Sequence, residues 1–123
     1  MSRLILIVDD EFGLAEVIGE LLGEEGYRTA LAANGKLGLA RLAEARPALV
    51  LLDVMMPVLD GPGMLRAMRA DPAYADLPVV IMTSLPDYGA SGSAVLSYQA
   101  LLRKPFAPEA LLAIVRRFAP LGG

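Results

Sequence analysis

An α/β doubly wound domain is the fold class this sequence predicts, on three observations. Apolar runs at residues 4–8, 48–53 and 77–84 read as strands covered on both faces of a parallel sheet. Helical periodicities separate them, so that strand and helix alternate five times along the chain. The 123 residues suit one domain with one hydrophobic core, and no repeat or linker interrupts them.

The first strand, Leu4 to Val8, is followed by Leu14, Val17, Ile18, Leu21 and Leu22, spaced for one helix face, and Gly26 ends that helix. A second strand near Tyr27 to Ala32 includes Arg28 and Thr29, as an edge strand does. Residues 35–45 predict a helix with Leu39, Leu42 and Ala43 inward. Strand three is "ALVLLD" (48–53), and Met64, Leu65 and Met68 predict a helix after Gly61. Strand four is "LPVVIMTS" (77–84), and a short fifth runs from Ala100 to Leu102. The last helix opens at Pro108 and Glu109 and buries Leu111, Leu112, Val115 and Phe118. Arg116 and Arg117 complement the dipole at its C-terminus.

Composition excludes several chemistries. Histidine and cysteine are absent, which rules out Ser-His-Asp and Cys-His nucleophilic sites, thiolate or histidine zinc sites, and disulfides. Any metal must be held by oxygen, favouring Mg²⁺, Ca²⁺ or Mn²⁺. A net charge of −3 gives no electrostatic footprint for nucleic acid. No apolar run is long enough for a membrane span, and acids follow the N-terminal apolar run too soon for a signal peptide, so a cytoplasmic protein is expected.

The segment "RLILIVDDE" (3–11) runs a buried strand straight into Asp9, Asp10 and Glu11, while Asp53 ends the third strand. Taken singly, Asp9 or Asp10 could cap the following helix, and Asp53 could open a turn before Pro57. Helix caps do not require acids at two strand ends of one sheet. If those strands are neighbours, three carboxylates converge, and two charges ~4 Å apart repel by about 4 kcal/mol at an effective dielectric of 20. A hard divalent cation such as Mg²⁺ relieves that repulsion. Thr83 closes strand four and Lys104 follows strand five, adding a hydroxyl donor and an ammonium. Alone, Thr83 reads as a β-former and Lys104 as a solvated charge. Together with the acids they suit an anion with three oxygens, such as a phosphoryl group on a carboxylate.

The motifs "VDDE" (8–11), "LLDVMMPVLDG" (51–61), "MTS" (82–84) and "KPF" (104–106) occur in order over nearly the whole chain, which thereby resembles the receiver domain of bacterial two-component response regulators. The resemblance implies a flavodoxin-like, five-stranded parallel sheet of order 2-1-3-4-5 with five helices. It implies that Asp53 accepts a phosphoryl group from the phosphohistidine of a sensor histidine kinase or phosphotransfer protein. Asp10 would then ligate Mg²⁺ directly, Asp9 through water, and Asp53 and the Met55 carbonyl would complete the protein ligands. Lys104 would pair with the acceptor and Thr83 would bond a phosphate oxygen. The Lys104–Pro105 bond would be cis. A downstream protein partner would meet the face of the fourth helix, fifth strand and fifth helix. Direct nucleic-acid contact and membrane insertion are not implied, and a homodimer is compatible. Such a domain is a signalling module rather than an enzyme.

The sequence departs from the family pattern in three places. Leu101 stands three residues before Lys104, where the family commonly has an aromatic switch residue, and Tyr98 is displaced from that position. Residues 86–99, where the fourth helix belongs, include Gly89, Gly92 and three serines that cost about 3–4 kcal/mol of helix propensity relative to alanine. That stretch predicts a short or mobile helix, with tertiary packing the alternative source of order. Met55 and Leu85, two residues after Asp53 and Thr83, are apolar and can neither orient nor activate a water. Two other functions stay open: a pseudo-receiver that serves as an interaction scaffold, and a small phosphatase with an aspartyl nucleophile. The latter would want a second Asp where Met55 stands. The sequence also leaves open whether the domain acts alone or belongs to a longer chain.

Overall fold

The computed structural model describes residues 3–88 and 98–122. In chain order its elements are β1 (Leu4–Val8), α1 (Phe12–Glu24), β2 (Arg28–Ala32), α2 (Gly35–Glu44), β3 (Leu49–Asp53), α3 (Gly61–Ala70), β4 (Val79–Thr83), β5 (Ala100–Arg103) and α4 (Pro108–Phe118). The five strands form one parallel sheet of order β2-β1-β3-β4-β5. Four helices are present among the described residues, against five expected. The missing one falls on residues 86–99, and of these 89–97 lie outside the described residues.

Alternation along each strand divides the core between the two faces of the sheet. Ile5, Ile7, Leu49, Leu51, Val80 and Met82 pack against Ile18 and Leu22 of α1 and Leu111 and Val115 of α4. Leu6, Val8, Val50, Leu52, Val79 and Ile81 face the other way, onto Leu42 of α2 and Met64, Leu65 and Met68 of α3. Each fully buried aliphatic contributes about 1.5–3 kcal/mol relative to exposure, so both helical layers are held by the strands between them.

Two helices depart from the expected buried face at particular positions. Val17 in α1 is half exposed, because Ala15, Ile18 and Leu22 define the buried stripe. In α2, Ala43 is exposed and Leu39 only partly buried, and the inward positions are Gly35, Gly38 and Leu42. The reason is proximity: a Cβ on Gly38 would stand 2.6 Å from Met64 Sδ and 3.2 Å from Val8 Cγ2. A scan for large apolar residues cannot see a helix face made of absent side chains.

Local signals set the helix ends. Asn34 caps α2 by accepting the Leu37 N–H at 2.9 Å, and Asp60 caps α3 by accepting the Gly63 N–H at 2.8 Å. Gly26 takes the left-handed region, with φ 101°, after α1. Tyr27, predicted to open the second strand, instead precedes it, buried, with its hydroxyl donating to the Ala119 carbonyl at 2.8 Å.

The connection from β3 to α3 contains a strained turn. Val58 has φ 71°, and the Leu59 N–H donates to the Pro57 carbonyl at 2.8 Å across it. A hydrogen bond from residue i+2 to residue i around a positive φ defines the rare form of the γ-turn. A β-branched side chain there costs on the order of 1–3 kcal/mol, and this one is 77% exposed and recovers little by packing. Val58→Gly should therefore raise the urea midpoint by the equivalent of about 1 kcal/mol after allowing for glycine's extra freedom when unfolded. An unchanged or lower midpoint would show that the turn carries no strain.

Candidate functional site

The parallel arrangement brings the C-terminal ends of β1, β3, β4 and β5 to one edge of the sheet. Asp9 follows β1, Asp53 ends β3, Thr83 ends β4 and Lys104 follows β5. Asp9, Asp53 and Thr83 are buried, at 2%, 8% and 1% exposure, whereas Asp10 is exposed.

Lys104 bridges the two buried acids. Its Nζ lies 2.7 Å from Asp9 Oδ2 and 3.4 Å from Asp53 Oδ1. The other Asp9 oxygen accepts the Glu11 N–H at 2.9 Å, so Asp9 ties down the turn that leads into α1. It is not the N-cap of α1, a place taken by Glu11 without a side-chain cap bond. On the lysine side, the Lys104 N–H donates to the Thr83 carbonyl at 2.8 Å, and the Lys104–Pro105 peptide is cis, as the resemblance implied.

Burial first, and then the neighbouring Asp9 charge, raise the Asp53 pKa from 3.8 to about 6, against the lowering by the Lys104 ammonium and the Val54 backbone hydrogen bond. Burial alone would lower the Lys104 pKa. The hydrogen bond and charge of Asp9, with those of Asp53, outweigh it and hold the lysine above its ordinary value. One ammonium thus serves two carboxylates and leaves the acceptor side underneutralised.

Asp9, Asp10 and Asp53 each offer an oxygen, and these oxygens lie within 4.8 Å of one another. The donor set is all oxygen and carries excess negative charge, and it fits a hard divalent cation. Met55 lines the adjoining cleft of about 490 Å³ together with Asp53, Thr83, Leu85 and Lys104. Met55 and Leu85 reach the surface there, at 66% and 36% exposure.

Thr83 Oγ1 accepts the Leu85 N–H at 3.0 Å. Leu101 and Tyr98 stand away from the acids, partly buried against the core layer of α2 and α3. The Tyr98 ring packs on Tyr88, with centroids 6.3 Å apart and planes tilted by 36°. Sequence reasoning passed over Tyr88, an aromatic inside a turn with no periodic partner.

An all-parallel α/β domain with a lysine between two buried acids and a buried hydroxyl at the same edge defines a narrow class of protein. A model of the response regulator receiver domain family matches residues 5–116. The DNA-binding response regulator MtrA of Mycobacterium tuberculosis (strain ATCC 25618 / H37Rv) is 38% identical over 120 residues, covering 94% of this chain and 50% of that protein. Sporulation initiation phosphotransferase F of Bacillus subtilis (strain 168) is 34% identical over 122 residues, covering 98% of this chain and 97% of that protein. Among solved structures, the receiver domain of sensor histidine kinase PA1611 from Pseudomonas aeruginosa PAO1, with a magnesium ion coordinated in its active site cleft, gives a TM-score of 0.86 at 28% identity. That superposition covers 96% of this chain and 98% of the other. The chain belongs to the response regulator receiver domain family, whose members serve phosphorylation-based signalling. It spans about half the length of the MtrA relatives it matches.

The raised Asp53 pKa has a testable sign. Between about pH 4 and pH 6 the folded metal-free protein keeps a proton on Asp53 that the unfolded chain has lost. Stability contributed by that proton is lost as pH rises through this window and is constant above it. Thermal unfolding in chelator should show native stability falling relative to Asp53→Asn from about pH 4 to pH 6, then running parallel. Parallel curves throughout would mean that the Asp53 carboxyl titrates as an ordinary one.

Proposed function

We propose that Asp53 receives a phosphoryl group, in a Mg²⁺-dependent transfer from the phosphohistidine of a sensor histidine kinase or phosphotransfer protein. The observation that carries this reading is the Lys104 ammonium, held 2.7 Å from Asp9 and 3.4 Å from Asp53 at a cleft that Thr83 also lines. The relative solved with magnesium in its cleft supports the choice of metal.

In this reading an Asp53 carboxylate oxygen forms the new bond to phosphorus as the phosphorus–nitrogen bond of the donor breaks, and the imidazole departs. Asp10, Asp53 and the Met55 carbonyl, with Asp9 through water, would hold Mg²⁺, which would supply positive charge for the phosphoryl oxygens. Lys104 exchanges part of its contact with the Asp53 carboxylate for a phosphate oxygen and keeps its bond to Asp9. The Thr83 hydroxyl donates a hydrogen bond to another oxygen. Neither residue takes a proton from the acceptor, because an ionised carboxylate is already the nucleophile. Phosphorylation then alters the surface of β5 and α4, where a downstream protein partner docks. Leu101 and Tyr98 lie on or beside that surface.

Incubation with Mg²⁺ and acetyl phosphate should add one phosphoryl group by intact mass, absent from Asp53→Ala and abolished by chelation. Partner binding that persists unchanged in Asp53→Ala, without any adduct on the native chain, would favour the scaffold reading. Met55 and Leu85 leave the mouth of the cleft apolar and unable to activate water. Met55→Asn with Leu85→Glu should therefore shorten the lifetime of the phosphorylated protein by about tenfold or more, followed by decay of the mass adduct. An unchanged lifetime would show that these side chains do not limit hydrolysis.

A further inference from the structure

Arg103 is the last residue of β5, paired in register with Thr83 and adjacent to Lys104. Its side chain reaches the segment that follows β4. One guanidinium nitrogen donates to the Leu85 carbonyl at 2.6 Å and the other to the Tyr88 carbonyl at 2.8 Å. Those carbonyls bracket the turn Leu85-Pro86-Asp87-Tyr88, which the Tyr88 N–H closes onto the Leu85 carbonyl at 3.3 Å, with proline at its favoured second position. A planar, two-pronged donor suits this pair of acceptors, whereas a single ammonium would reach one of them.

The turn feeds into the site through one residue. Leu85 presents its carbonyl to Arg103 and its N–H to Thr83 Oγ1 at 3.0 Å. A threonine hydroxyl has one proton and two lone pairs. With a lone pair occupied by the Leu85 N–H, its proton is left for an acceptor in the cleft that Thr83 lines. We propose that Arg103 is a positioning residue for the phosphoacceptor site: by clamping the Leu85–Tyr88 turn, it keeps the Thr83 hydroxyl oriented as a donor toward an anion on Asp53. This rests on the reading of Asp53 as phosphoacceptor.

A double-mutant cycle on the full chain tests it. With Mg²⁺ and acetyl phosphate, Arg103→Met should slow phosphorylation about fivefold, the worth of one net hydrogen bond. Arg103→Lys should fall between it and the native chain, and Mg²⁺ affinity should be unchanged in both. In a Thr83→Val background, Arg103→Met should have no further effect, because the group it positions is gone. In the metal-free protein, amide exchange at Leu85 should be faster in Arg103→Met than in the native chain. A native rate in Arg103→Met, a weakened Mg²⁺ affinity, or the same slowing with and without Thr83 overturns the proposal. A native chain that takes no phosphoryl group at all fails the Asp53 reading first and this inference with it, which distinguishes the two failures.

Discussion

The contact between Lys104 and the two buried acids is the interaction on which the rest of the site depends. Asp9 has a fully buried side chain, and an uncompensated carboxylate in that position would cost several kcal/mol. The lysine 2.7 Å away permits the burial, yet it comes from the opposite end of the sequence. It reaches the acids because β1, β3, β4 and β5 are parallel neighbours that end together. The two-faced core that fixes this register is therefore also what makes the charge cluster tolerable.

That compensation is incomplete. One ammonium faces Asp9 and Asp53 with the exposed Asp10 close by, and burial together with the Asp9 charge holds the Asp53 pKa up at about 6. A structural ion pair would be better served by matching charges. A residual negative field at a solvent-accessible cleft suits a site that binds a cation and exchanges an anion. This places the function in the imbalance of the cluster rather than in any single residue.

The connections around the site are built with little clearance. A Cβ on Gly61 would stand 2.2 Å from the Asp53 carbonyl oxygen, and the Gly61 N–H donates to the Val54 carbonyl at 2.9 Å. The start of α3 is thus pressed against the backbone of the acceptor strand, leaving the strained turn at Val58 to absorb the geometry of the short connection. On the other side the segment after Thr83 is fastened by Arg103. The acceptor strand is braced tightly, while the turn after the hydroxyl-bearing strand is held by hydrogen bonds from an exposed guanidinium.

Much of this was legible in the sequence. Uninterrupted apolar strands between amphipathic helices specify a doubly wound parallel sheet, since only burial on both faces accommodates them, and the absence of histidine and cysteine narrowed the chemistry to oxygen ligands. Asp9, Asp10, Asp53, Thr83 and Lys104 announced themselves as polar groups at the ends of apolar runs. What the sequence by itself determined was which residues stand at strand ends, because hydrophobic period is a local property of the chain. Only the tertiary structure decided that Lys104 lies nearer Asp9 than Asp53, that Gly38 rather than Ala43 faces the core, and that Arg103 grips the turn after Thr83. Those are distances between residues far apart in the chain or facing one another across layers, and they are set by strand register and close packing, which no local pattern encodes.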